Sequence, residues 1–282
     1  MYNASFVTSD NKTFKFGYEE GTIFDIDPLS EIDVDVSTSQ GFQQTGVTVE
    51  AETVSGVSRE IKGVFTDSTD TALALSMINI FTPGTHGKLY FNDEYYCDCV
   101  VQKTPLLALK NRKRTFDLML FCSYPYWIYT TETSWEIGGY TACFELPVCY
   151  DEHIFGIKNS DAITDCYNEG SVERPIDITF TSRVSAENYG VENTDTGEYL
   201  QFDDTLESGE KTHVYWDEGR LKVEKTIDGE TENAMSILNE GSTLFTIYPG
   251  NNNLKQYADT NDDQLTIIVT LSPATTGVIA DV

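Results

Sequence analysis

Residues 114–122 read RTFDLMLFC. Side chains alternate along an extended chain, so Phe116, Leu118 and Leu120 share one side and Asp117, Met119 and Phe121 the other. A run this apolar predicts a strand covered on both faces. Upstream, 94–102 (EYYCDCVVQ), 88–91 (KLYF) and 59–65 (REIKGVF) have the same texture. Asn92-Asp93 lies between two of these runs and has hairpin chemistry. Further out, 31–37 (EIDVDVS) and 47–54 (VTVEAETV) alternate apolar with acidic or small polar residues, the pattern of half-exposed strands.

One helix interrupts the strands. Ser68 and Thr69 offer N-caps, Asp70 suits the positive end of the helix dipole, and Pro83-Gly84 stops the run. Leu73, Met77, Ile80 and Phe81 lie near one face. The segment is apolar around most of its circumference, which predicts burial on more than one side and makes Leu73 and Met77 candidate subunit contacts. Residues 105–114 (PLLALKNRKR) read as a loop between strands that holds the chain's basic cluster, Lys110, Arg112, Lys113 and Arg114. In an acidic protein such a loop is a candidate dock for a neighbour's carboxylates.

Residues 130–139 read as a connection, and the expected domains are 1–132 and 133–282. The second domain is again strands: 176–183, 198–202, 211–216, 220–225, 242–248 and 264–271. Their spacing, without intervening helices, predicts a sandwich or barrel and excludes a parallel α/β sheet.

Charge narrows the function. There are 46 acidic and 18 basic residues, a net charge of −28. Residues 1–130 hold 17 acids and 10 bases, and residues 131–282 hold 29 and 8. Specific nucleic-acid binding and anionic membranes are both disfavoured, because each needs clustered cations. No basic start with an apolar core opens the chain and no stretch reaches the ~18 apolar residues of a membrane span, so a soluble protein made without export is expected. Cys97, Cys99, Cys122, Cys143, Cys149 and Cys166 show no CxxC pair or zinc spacing and read as buried thiols. Thiols kept reduced suit assembly in a reducing cytoplasm.

No catalytic set emerges. His86, His153 and His213 are isolated, and no HExxH, Walker A or GxSxG pattern occurs. Residues 259–263 open like a calcium loop, but Gln264 stands where the turn needs Gly and Thr270 where a bidentate Glu belongs. Catalytic, cofactor and metal residues are therefore all expected to be none. Trp127, Trp135 and Trp216 leave carbohydrate binding by a β-sandwich module as the alternative function. A hydrolase is a third reading, against which paired strand carboxylates such as Asp33/Asp35 share one solvent face instead of flanking a sugar.

The order of short motifs resembles the distal tail protein family of siphophages that infect Gram-positive bacteria. In the first half these are Ile61-Lys-Gly63, Gly87-Lys-Leu-Tyr90, Tyr95-Tyr96-Cys97, Thr104-Pro105, Phe116-Asp-Leu118 and Cys122-Ser-Tyr-Pro-Tyr-Trp127. In the second they are Gly170-Ser-Val-Glu-Arg-Pro175, Asn193-Thr-Asp-Thr-Gly197-Glu-Tyr-Leu200, Leu206-Glu-Ser-Gly-Glu210 and Leu244-Phe-Thr-Ile-Tyr-Pro-Gly-Asn-Asn252. The resemblance implies a mainly β protein, with a barrel-like or sandwich tail-tube-type domain carrying one helix and a C-terminal galectin-like β-sandwich. It also implies a homohexameric ring at the virion tail tip, made in the host cytoplasm. The implied partners are the tail tube protein, a tip or tail-associated lysin-type protein and, in some phages, a receptor-binding protein. Fold is not function, so the galectin-like domain does not by itself imply a sugar site.

Overall fold

The computed structural model describes residues 2–67, 69–110, 112–142, 156–159, 163–217, 219–243 and 245–279. Ser68, Cys143, Cys149, His153 and Leu244, all singled out in the sequence, lie outside the described residues. The chain forms two compact units, residues 1–131 with 274–282, and residues 132–273.

In the first unit an antiparallel sheet runs Thr13–Phe16, Ala4–Thr8, His86–Phe91, Tyr95–Lys110, Lys113–Cys122, Val57–Phe65, Thr22–Asp27. Its outermost strands approach each other through Phe16 and Phe24, whose rings are 5.3 Å apart, which gives the sheet the curl of a barrel. The strand Lys113–Cys122 departs from expectation on one side. Phe116, Leu118 and Leu120 are buried, but Met119 is only half-buried and Phe121 is exposed. Its pairing with Val57–Phe65 explains Gly63, where a Cβ would come within 2.4 Å of both Ile23 O and the Phe116 ring. The expected turn is present: Asn92 and Asp93 both have positive φ, the conformation that two-residue hairpin corners favour.

The helix spans Thr71–Ile80. Its N-cap is Asp70 itself, whose Oδ1 accepts from Leu73 N at 2.9 Å, while Thr69 donates to Asp67. Phe81, just past its end, stacks on Phe6 at 4.8 Å and meets Phe14 and Phe16, so the helix closes one side of an aromatic core. Burial on several sides is not what forms: Ala74 and Met77 are buried, but Leu75 is 58% and Ile78 36% exposed.

Residues 105–114 are not a loop. Strand Tyr95–Lys110 runs through them and turns back as Lys113–Cys122, with Lys110 opposite Lys113. Register shifts near Lys103 let this long ribbon leave the main sheet.

The second unit is a sandwich. One sheet runs Thr133–Ile137, Leu265–Leu271, Asp177–Ser182, Lys211–Asp217, Arg220–Ile227, Glu230–Asn233. The other runs Thr164–Asp165, Asn253–Tyr257, Gly190–Asn193, Glu198–Gln201. Ile178, Val214 and Ile267 from the first sheet join Val191, Leu200 and Leu254 from the second in one core. The expected connection at 130–139 thus contains a sheet strand. Conversely, 242–248 contributes only the short pair Thr246–Ile247 with Arg174–Pro175. Its end, Tyr248 to Asn252, is fixed by the buried Asn252, which accepts from Tyr248 N and donates to Tyr248 O and Cys166 O. That single side chain explains why the Pro-Gly-x-Asn motif ends on Asn.

Polar groups are also enclosed. Lys225 Nζ reaches Asp204 at 2.7 Å, Glu210 at 2.8 Å and Thr205 O at 2.9 Å. Burial alone would push this ammonium down, but hydrogen bonds to the two carboxylates outweigh it and raise its pKa.

Candidate assembly surfaces

Among the described residues, the strands Val34–Ser39 and Thr48–Val54 pair only with each other. Every residue in both is exposed. The register places Val34 opposite Val54 and, beyond a bulge, Thr38 opposite Val49. Val34, Val36, Val49 and Val54 therefore share one face with Thr38 and Glu52, while Asp35, Ser37, Ser39, Thr48, Ala51 and Thr53 share the other. Val34 and Val36 are 47% and 50% exposed, and Phe42 at the tip is 96% exposed. Gln43 and Gly46 supply the positive φ that the tip needs. The expectation of half-buried strands fails here, since the apolar face is present but this chain does not cover it. A lone two-stranded ribbon is marginal in water, and a row of exposed valines marks an interaction face.

The second surface is the end of the 95–122 ribbon. Leu106 and Leu109 are exposed there, Leu109 by 74%. Lys110, Arg112 and Lys113 are exposed around them, Arg112 at φ 61° in the turn. Arg114 behaves differently: its Nη1 donates to Asp70 O at 2.7 Å and fastens the ribbon to the start of the helix. Lys110 and Lys113 face each other across the strands, and like charges so placed repel. Among the described residues no ion pair neutralises Lys110, Arg112 or Lys113.

Leu73 and Met77 do not join these surfaces. Met77 is fully buried in the first unit's core and Leu73 packs half-buried against it. The helix presents Leu75 and Ile78 outward instead. The sequence reading named the basic cluster but missed Val34, Val36, Phe42 and Leu109. The ribbon's own alternation was the available signal, but alternation alone does not say what covers the apolar face.

Chemistry-bearing groups remain scattered. His213 Nε2 lies 2.9 Å from Asp177 and its ring stacks on Tyr215 at 4.5 Å. His86 is exposed. Residues 259–264 form a short turn in which Asp259 accepts from Asn188. Among the described residues no group of His, Cys, Asp or Glu is arranged to hold a metal. Of the three tryptophans, Trp127 is buried and donates to Leu29 O, Trp135 packs against the second unit's core, and Trp216 is exposed. A cleft beside Trp216, lined by Glu132, Arg174, Asp177 and Thr270, holds about 100 Å³. Small-molecule pockets are typically ~300–1,000 Å³.

Residues 169–270 match the siphovirus-type tail component, C-terminal domain. The crystal structure of SPP1 Dit, described as a paradigm of hub adsorption apparatus in Gram-positive infecting phages, superimposes with a TM-score of 0.66 at 15% identity, covering 95% of this chain and 98% of that one. A chain of the phage p2 baseplate in its activated conformation with Sr gives a TM-score of 0.52 at 11% identity, covering 96% and 98%. No curated protein matches the sequence. Residues 169–270 thus match the siphovirus-type tail component C-terminal domain, and nearly the whole chain shares the fold of SPP1 Dit.

Proposed function

We propose that this chain is a structural, non-catalytic hub subunit. Six copies close into a ring at the virion tail tip, between the tail tube protein and a tip or lysin-type protein, and the ring lets DNA pass. The observation that carries this reading is the ribbon 34–54, whose valine face no other described residue covers. A neighbouring copy supplies that cover. Closed cyclic symmetry requires two different surfaces per subunit. The ribbon's face is one, and the cationic end of the 95–122 ribbon is suited to an acidic surface on the next copy. The net charge of −28 suits a conduit, because a negative surface repels phosphates and gains nothing from counterion release.

The test is native mass spectrometry and negative-stain imaging of the purified chain, with and without Val34→Asp/Val36→Asp. A six-fold ring with a central hole, lost in the double variant, is the expected result. A wild-type protein that stays single at every concentration overturns the proposal.

A further inference from the structure

Three of the described cysteines meet inside the first unit. Cys97 and Cys99 point to one side of the strand Tyr95–Lys110, and Cys122 ends the strand Lys113–Cys122 that pairs with it. All three are buried, with Cys122 Sγ 3.5 Å from Cys97 Sγ. Arg59, also fully buried, sits on the adjoining strand opposite Leu120, two residues from Val57, which pairs with Cys122, and its charge acts on Cys122. Its guanidinium donates to Pro28 O and Pro125 O, and it sits 4.4 Å from the centre of the Trp127 ring. Its Nε has no hydrogen-bond partner, and among the described residues no carboxylate pairs with it.

A buried cation needs a buried anion. Two carbonyls and an aromatic face offer only dipoles. The remaining ionisable group at hand is the thiol cluster. We propose that Cys122 is a thiolate, the counter-ion of Arg59, and that peroxide joins it to Cys97 as a disulfide. Cys122 is the sulfur placed for that role, because its strand pairs directly with the strand of Arg59 and its Sγ lies 3.5 Å from Cys97 Sγ. Hydrogen bonds from Cys97 and Cys99, then the charge of Arg59, hold it well below the ordinary thiol range against its burial. Cys97 is pushed up by burial and by its bond to Cys122, and Cys99 mainly by its own bond to Cys122.

The chemistry balances. The Cys122 thiolate attacks one peroxide oxygen, the O–O bond breaks, and hydroxide leaves, so Cys122 becomes a sulfenic acid. Cys97 gives its proton to that hydroxide, attacks the Cys122 sulfur and expels the second oxygen, which leaves as water with a solvent proton. Two sulfurs are oxidised and two oxygens reduced. Peroxide is close to water in size, and Cys122 is followed by the exposed Ser123, so a small opening of that turn admits it. Closure removes the negative partner of Arg59 next to Trp127, which makes tryptophan fluorescence a second reporter.

The full-length chain is treated with hydrogen peroxide and digested without reduction. The expected product has lost two hydrogens, and its digest contains Cys97 linked to Cys122. Before oxidation, the native protein shows thiolate ultraviolet absorbance at neutral pH that Cys122→Ser lacks. In Cys97→Ser, dimedone traps a sulfenic acid on Cys122. A crosslink through Cys99, no crosslink under peroxide that oxidises the urea-unfolded chain, or no thiolate absorbance in the wild type overturns the proposal. The mass and absorbance readings need only the wild-type protein, so a variant that misfolds does not shield the idea.

Discussion

Two hairpins in this molecule carry the same alternating pattern and meet opposite fates. In Lys211–Asp217 and Arg220–Ile227, Val214 sits opposite Val223 and both are fully buried. In Val34–Ser39 and Thr48–Val54, Val34 sits opposite Val54 and both are exposed. The first hairpin faces a second sheet of its own unit, and the second faces nothing that its own chain provides. Alternation specifies which face must be covered. It does not specify which chain covers it.

The contrast breaks most visibly under a charge. Val214→Asp places an unpaired carboxylate in the second unit's core, where an isolated charge is costly, and expressed protein should be insoluble or molten. Val36→Asp should give a folded monomer with unchanged far-ultraviolet circular dichroism. If both variants fold, or both fail, the two hairpins do not differ as described.

A smaller effect sharpens the same comparison, because the core hairpin also carries an enclosed charge. Lys225→Ala leaves Asp204 and Glu210 without their cation and should cost about 3 kcal/mol in urea unfolding, the lower end for breaking a buried pair. The pKa of Lys225 is raised on folding. Its contribution is therefore fully present below the ordinary lysine value of ~10.4, and it is lost as pH rises through the higher folded value. Wild-type stability should fall more steeply than that of Lys225→Ala in that alkaline window. Parallel curves would remove the lysine from the account.

The smallest expected effect is Val36→Thr. In the monomer it should change stability by less than ~0.5 kcal/mol, as for an ordinary surface site, while weakening ring assembly measurably. A large loss of monomer stability would mean that the ribbon is covered by its own chain after all.

Much of this fold was legible because its signals are local. Pro83-Gly84 ends the helix, Asn92-Asp93 turns the chain, and Phe116, Leu118 and Leu120 mark a core face wherever the strand lies. What was not legible depends on partners distant in sequence. Leu75 and Ile78 look as apolar as Met77, and only packing decides which is buried. Thr133–Ile137 is hydrophilic at its start and becomes a strand because Leu265–Leu271 pairs with it. Residues 105–114 read as a loop because their basic residues suggested solvent, yet the strands continue through them. Of the proposed surface residues, the basic cluster announced itself by composition. The valine face was visible as alternation, which marks a face without naming what covers it.

The strand Ala274–Thr275 pairs with Trp127–Tyr129, with Thr275 opposite Trp127. The polypeptide thus leaves the first unit after residue 131 and re-enters it at 274, on a neighbouring strand. The sandwich is in effect a cassette spliced into its host at two adjoining points. Its trade for another module would leave the host's sheet intact, whereas truncation at the first splice would strip that sheet of its last strand.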